Sequence, residues 1–224
     1  MGAQSSTLID EIHTAARLPE EAIERKLEAL EQVAELGKQE GIAVRVVEQG
    51  GLQPLLRCYN AAHPKVRLAA AQALEILAQW PSNQIEMGHD DVLSLLMPSL
   101  LTSGPDFKRH AMGLLALLST PQQNKLRLVN EGMLGPIIAE VTARDETLQL
   151  HALEALAKVC EVEQVSGYTV QRGALPQLLK AARSDSQAVK LGVAKVLSGL
   201  AKLGENLGEI VRSGALIFLA RRPP

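Results

Sequence analysis

The sequence predicts an all-α solenoid, a single array of stacked helices with about four full repeats of 41 residues and partial repeats at its ends. Two registers predict it. Leu52, Leu93, Leu134, Leu175 and Leu216 recur every 41 residues without a slip, each preceded two places upstream by Gly50, Asp91, Gly132, Gly173 or Gly214. A second register reads Val33, Leu74, Leu115, Leu156 and Leu197, followed three residues on by Leu36, Leu77, Leu118, Val159 and Leu200. A fixed period of roughly 40–47 residues marks a helical solenoid, whose units are too small to bury their own apolar faces and so stack on their neighbours. Composition agrees. Hydrophobic residues make up 46% of the chain with only two Phe, two Tyr and one Trp, so Leu and Ala must fill a core of closely stacked helices.

The elements follow in order. Residues 8–17 read as a short helix, with Thr7 able to cap it and Asp10 three residues on, as in a capping box. Pro19 suits the first turn of a second helix, expected to run to about Leu36. Its segment Leu27 to Ala34 aligns with Leu150 to Ala157, so the array begins with the last helix of an incomplete repeat. Each full unit then holds a short helix such as 124–131, a second after the glycine such as 133–141, and a third and longest such as 148–159. Pro, Gly, Ser and Asp in the loops at 62–65, 103–106, 144–146 and 183–186 stop one helix and start the next. The glycine before each second helix fits a turn with positive φ, and Asp91 stands in once. In the third helices apolar residues recur at helical spacing, as in Ala70, Ala73, Leu74 and Leu77. Trp80 follows a third helix, where an inter-helix turn should bury its ring.

These boundaries give three segments: an arm with a short helix over 1–18, one solenoid over 19–220, and a tail over 221–224. The net charge of −2 argues against a nucleic-acid binder, which needs a basic stripe to displace counterions. No apolar run reaches the length of a membrane span, and Asp10, Glu11, Glu20, Glu21 and Glu24 near the start speak against a transit peptide. Cys58 and Cys160 fit no metal-ligand spacing and read as reduced thiols of a cytoplasmic protein.

Three helices per unit, and the string Gly-x-Leu-x-x-Leu in Gly50 to Leu55 and Gly173 to Leu178, resemble the armadillo family over about residues 20 to 220. The resemblance implies a right-handed α-α superhelix whose third helices line a concave groove for an extended peptide or a partner helix. Importin-alpha-like members carry a groove Trp and, four residues on, a groove Asn. Here those positions are Gln72, Gly113, Glu154 and Lys195, then Ile76, Leu117, Lys158 and Gly199, so the cargo-pairing pattern is absent. Beta-catenin-like members use a basic groove, for which only Lys158 and Lys195 stand in register. Armadillo-type nucleotide-exchange factors of heat-shock-70-class chaperones have a similar layout, but their Asp-Asn-Ala and Asn-Asn-Pro stretches are missing at Glu40-Gly41-Ile42 and Trp80-Pro81-Ser82.

Those eight groove positions are the candidate partner site. The groove grades from Glu31 and Glu35 at its entry end through an uncharged middle of Gln72, Ile76, Gly113 and Leu117 to Glu154, Lys158 and Lys195. Exposed Ile76 and Leu117 would form an apolar strip for a partner segment. Ile217 and Phe218, in a run of apolar residues near the C-terminus, are a candidate end-docking patch, through which copies or partners could associate. Gly2 begins a match to the N-myristoylation pattern, Met1-Gly2-Ala3-Gln4-Ser5-Ser6, and membrane contact is expected only if Gly2 is acylated. The five histidines show no metal-binding spacing, and no cofactor or active site is expected. The sequence thus reads as a non-enzymatic, cytoplasmic adaptor binding a protein segment in the concave groove or at an array end, on its own or as a subunit of a larger complex. The alternatives are a chaperone nucleotide-exchange cofactor and a myristoyl-dependent membrane tether.

Overall fold

The computed structural model describes residues 2–89 and 92–215. The described residues form fifteen helices and no strand. Two open the chain, α1 (Gly2–Arg17) and α2 (Ile23–Leu36). Four sets of three follow: α3 (Glu40–Glu48), α4 (Leu52–Tyr59) and α5 (Pro64–Leu77); α6 (Pro81–His89), α7 (Val92–Thr102) and α8 (Pro105–Leu118); α9 (Gln122–Asn130), α10 (Leu134–Glu140) and α11 (Glu146–Val159); and α12 (Glu163–Gln171), α13 (Ala174–Ala181) and α14 (Gln187–Leu200). The last described helix is α15 (Gly204–Arg212).

Every helix at the third position, α2 included, is 14 residues long. These helices stack on one another in chain order, α2 on α5, α5 on α8, α8 on α11 and α11 on α14, and form a continuous wall. Both leucine registers lie in the core. Val33, Leu74, Leu115, Leu156 and Leu197 are buried, as are Leu52, Leu93, Leu134 and Leu175; Leu216 falls outside the described residues. The expected turn glycines are left-handed, with φ of 85° at Gly50, 80° at Gly132, 81° at Gly173 and 76° at Gly214. Asp91 lies outside the described residues.

The N-terminal helix departs from expectation. It starts at Gly2 and spans 16 residues, so Thr7 lies inside it and not at its start. Leu8, Ile9, Ile12 and Ala15 recur on one face and are buried, and α1 packs on α2, α3 and α4. That burial holds the helix, and no Pro interrupts it upstream. The second helix starts later than Pro19, because residues 19–22 close a turn with the Ala22 N–H on the Pro19 carbonyl at 3.1 Å. Trp80 is half-buried, and its indole N–H donates to the Gly37 carbonyl at 2.9 Å, which ties one unit to the next.

The joints between units use a device not read from the sequence. The amide of Asn83 donates to the Leu77 carbonyl at 2.9 Å, that of Asn124 to Leu118 at 3.0 Å, and that of Asn206 to Leu200 at 2.9 Å. Ser166 does the same for Cys160 at 2.8 Å. Each side chain sits on a first helix and satisfies a carbonyl at the end of the preceding third helix, which would otherwise be an orphan acceptor.

Candidate functional site

The wall of third helices places the predicted groove residues in two groups. Glu154, Lys158, Lys195 and Gly199 line one open trough of about 810 Å³ between α11 and α14. The trough is also lined by Leu150, Leu153, Ala157, Leu191 and Lys202. Leu153 is buried beneath it, Leu150 and Ala157 are half-buried, and Leu191 is 57% exposed, high for a leucine in a packed array. Two glycines set the spacing of its walls. A Cβ on Gly192 would lie 3.0 Å from the Leu153 side chain, and one on Gly199 would lie 3.1 Å from Cys160 Cβ. Gly199 is therefore a packing residue at the base of the trough, where it lets α14 close onto α11.

Charge in the trough is unevenly matched. Lys158 Nζ pairs with Glu154 Oε1 at 2.7 Å, one helical turn away, and also donates to the Ala116 carbonyl at 3.1 Å. Glu161 pairs with Lys125, whose side chain is 5% exposed. Lys195 and Lys202 are exposed.

The other group, Gln72, Ile76, Gly113 and Leu117, lies on α5 and α8 and is not the uncharged strip expected. Glu75 and His110 pair at 2.6 Å between Oε2 and Nδ1, and Gln72 Nε2 is 3.3 Å from His110 Nε2. Gly113 lies under this cluster. A Cβ there would meet Glu75 Oε1 at 2.0 Å and His151 Cε1 at 2.9 Å, so the missing side chain makes room for the polar pair. Ile76 and Leu117 are half-buried, and Leu117 packs on the core. The exposed apolar side chain of the wall is Leu191, in α14, which register alone did not single out. Ile217 and Phe218 lie outside the described residues. Gly2 is the first residue of α1.

Among the described residues no group of three or more His, Cys, Asp or Glu is placed to hold a metal. No described helix is long and apolar enough to cross a membrane. Both cysteines are buried free thiols. Burial pushes the Cys160 thiol up to about 12 against a weaker opposing effect of Thr169, so it holds no thiolate near neutrality.

No family model matches the sequence, and no curated protein matches it. Solved structures do match. The designed armadillo repeat protein YIII(Dq)4CqI superposes with a TM-score of 0.88 at 18% identity, covering 95% of this chain and 90% of that one. The fold is armadillo-type. A second design, YIII(Dq.V1)4CPAF in complex with the peptide (KR)4, superposes with a TM-score of 0.86 at 20% identity over 95% of this chain and 90% of that one. Computationally designed armadillo repeat proteins for modular peptide recognition match with a TM-score of 0.78 at 21% identity, over 88% of this chain and 82% of theirs. An engineered protein matches with a TM-score of 0.80 at 18% identity over 87% of this chain, which spans only 47% of that protein's length. At these identities the likeness extends to the armadillo-type fold alone.

Proposed function

We propose that this chain is a non-enzymatic interaction scaffold that holds an extended segment of a partner protein against its third helices, with the trough between α11 and α14 as the principal seat. The observation that carries this reading is the trough itself. It is open, about 810 Å³ in volume, and built from side chains of two neighbouring third helices with an apolar base and charged rims. A few apolar positions with convergent polar groups are what a peptide site requires. The peptide-binding designs that share the fold support the same reading, although the groove Trp and Asn pattern is absent here. The scaffold acts as an adaptor, in a reducing cytoplasmic setting where Cys58 and Cys160 remain thiols.

The test is selection of peptides from a displayed random library against the intact chain, followed by amide hydrogen exchange of a selected complex. Protection concentrated in α11 and α14 is expected. An empty selection, or protection confined to the opposite side of the array on the second helices, overturns the proposal.

A further inference from the structure

We infer that the trough between α11 and α14 takes an acidic segment that brings an apolar side chain beside its carboxylates. This rests on the scaffold reading above and adds the chemistry of the partner.

The argument is a balance of charges that are already paired. Two carboxylates line the trough, Glu154 and Glu161. Each faces a cation of its own chain: Glu154 holds Lys158 at 2.7 Å, and Glu161 holds the buried ammonium of Lys125. The opposite wall differs. From Gln187 to Leu200, α14 carries no carboxylate. Its Lys195, and Lys202 just beyond its end, are exposed, and neither has an ion-pair or hydrogen-bond partner among the described residues. The uncompensated charge of the trough is therefore positive.

Spacing defines the rest of the ligand. Lys195 and Lys202 are seven residues apart, about two helical turns and roughly 10 Å along the wall, a distance that an extended segment spans in about three residues. Leu191 lies one turn before Lys195 on the same face and offers the exposed apolar contact. A carboxylate over Lys195, a second over Lys202 and an aliphatic or aromatic side chain against Leu191 would use all three groups. Lys202 also stands at the C-terminal end of α14, where a cation favours the helix dipole. Lys195 is in the middle of the helix and has no such role.

The experiment selects displayed random peptides in parallel against the intact wild-type chain and against a Lys195→Glu, Lys202→Glu double variant. Both positions are exposed, so the fold is retained, as circular dichroism would verify. The wild-type pool should be rich in Asp or Glu next to Leu, Ile or Phe, and the double-variant pool should shift to Lys and Arg. A synthetic wild-type winner should bind the double variant at least about tenfold more weakly and lose affinity as salt is raised. It should bind Lys180→Glu, an exposed change on α13, as it binds wild type. Leu191→Asp should also weaken it. A neutral or basic wild-type pool whose binding still falls in Leu191→Asp would overturn the acidic chemistry and leave the scaffold reading intact. Failure to select any peptide against either chain would remove both.

Discussion

Asn124 carries more of the architecture than its residue type suggests. Its buried amide donates to Leu118 at 3.0 Å and to Gln84 at 2.9 Å, so one side chain joins α9 to the end of α8 and to α6. Truncation strands both acceptors in the interior. Asn124→Ala should therefore cost about 1–3 kcal/mol, read as a lower urea midpoint with an unchanged slope. The 41-residue spacing from Asn83 to Asn124 is visible in the sequence, yet a periodic polar residue reads as a solvent face until the turn that covers it is known. A titratable joint gives a second prediction at this scale. Asp145 accepts from Arg109 at 2.6 Å and caps α11 through the Leu148 N–H at 2.9 Å. The hydrogen bond from Arg109, then that from Leu148, hold its carboxyl below the ordinary value of 3.8, against a small opposing effect of burial. A depressed folded value means that the contribution is present above the unfolded value and is lost as pH falls from about 3.8 through the folded one. Asp145→Asn keeps a cap but loses the charge, so its melting temperature should fall less steeply than that of wild type across that acid window.

At the scale of elements, the glycines separate conformational need from packing need. Gly173 has φ of 81° and open space around its Cα, so an alanine there meets no neighbour and tests the backbone alone. Gly173→Ala should destabilise by about 1–2 kcal/mol. Gly135 lies inside α10, also in open space but with a right-handed backbone. Gly135→Ala should stabilise by up to about 1 kcal/mol, because the helix is entropically easier to form with alanine. Thermal melts of the two variants should move in opposite directions. Helix order was legible because the apolar period and the turn glycines repeat together. The start of α1 was not, since the turn ahead of Leu8 carries no apolar period and its Ser5 is buried all the same. Part of the candidate trough was legible. Register brought Glu154, Lys158 and Lys195 to one trough, as helical geometry requires. It could not show that Gly113 and Gly199 are packing gaps, that Glu75 and His110 fill the middle of the wall, or that Leu191 and Lys202 complete the trough. Those facts depend on how closely neighbouring helices approach.

At the scale of the molecule, the overall charge of −2 hides a polarity. Residues 1–40 hold nine carboxylates against four cations, whereas residues 161–224 hold nine cations against five carboxylates. The basic trough thus belongs to the basic end of the array. The same linear order governs stability, because each unit rests only on its neighbours and the total is a sum of unit and interface contributions. Leu115 is fully buried in α8, which packs on both α5 and α11. Ile210 is buried in α15, which packs chiefly on α12 and α14. Shortening either side chain to alanine costs about 2–5 kcal/mol locally, but the consequences should spread differently. Leu115→Ala weakens two interfaces of the continuous wall, so amide exchange should accelerate on both sides, in α5 and in α11, and the main melting transition should drop. Ile210→Ala should accelerate exchange in α15 and its immediate neighbours and leave α2 and α5 at wild-type rates. Equal acceleration from end to end in both variants would mean that the array unfolds as one indivisible unit, and nearest-neighbour stacking would not describe this chain.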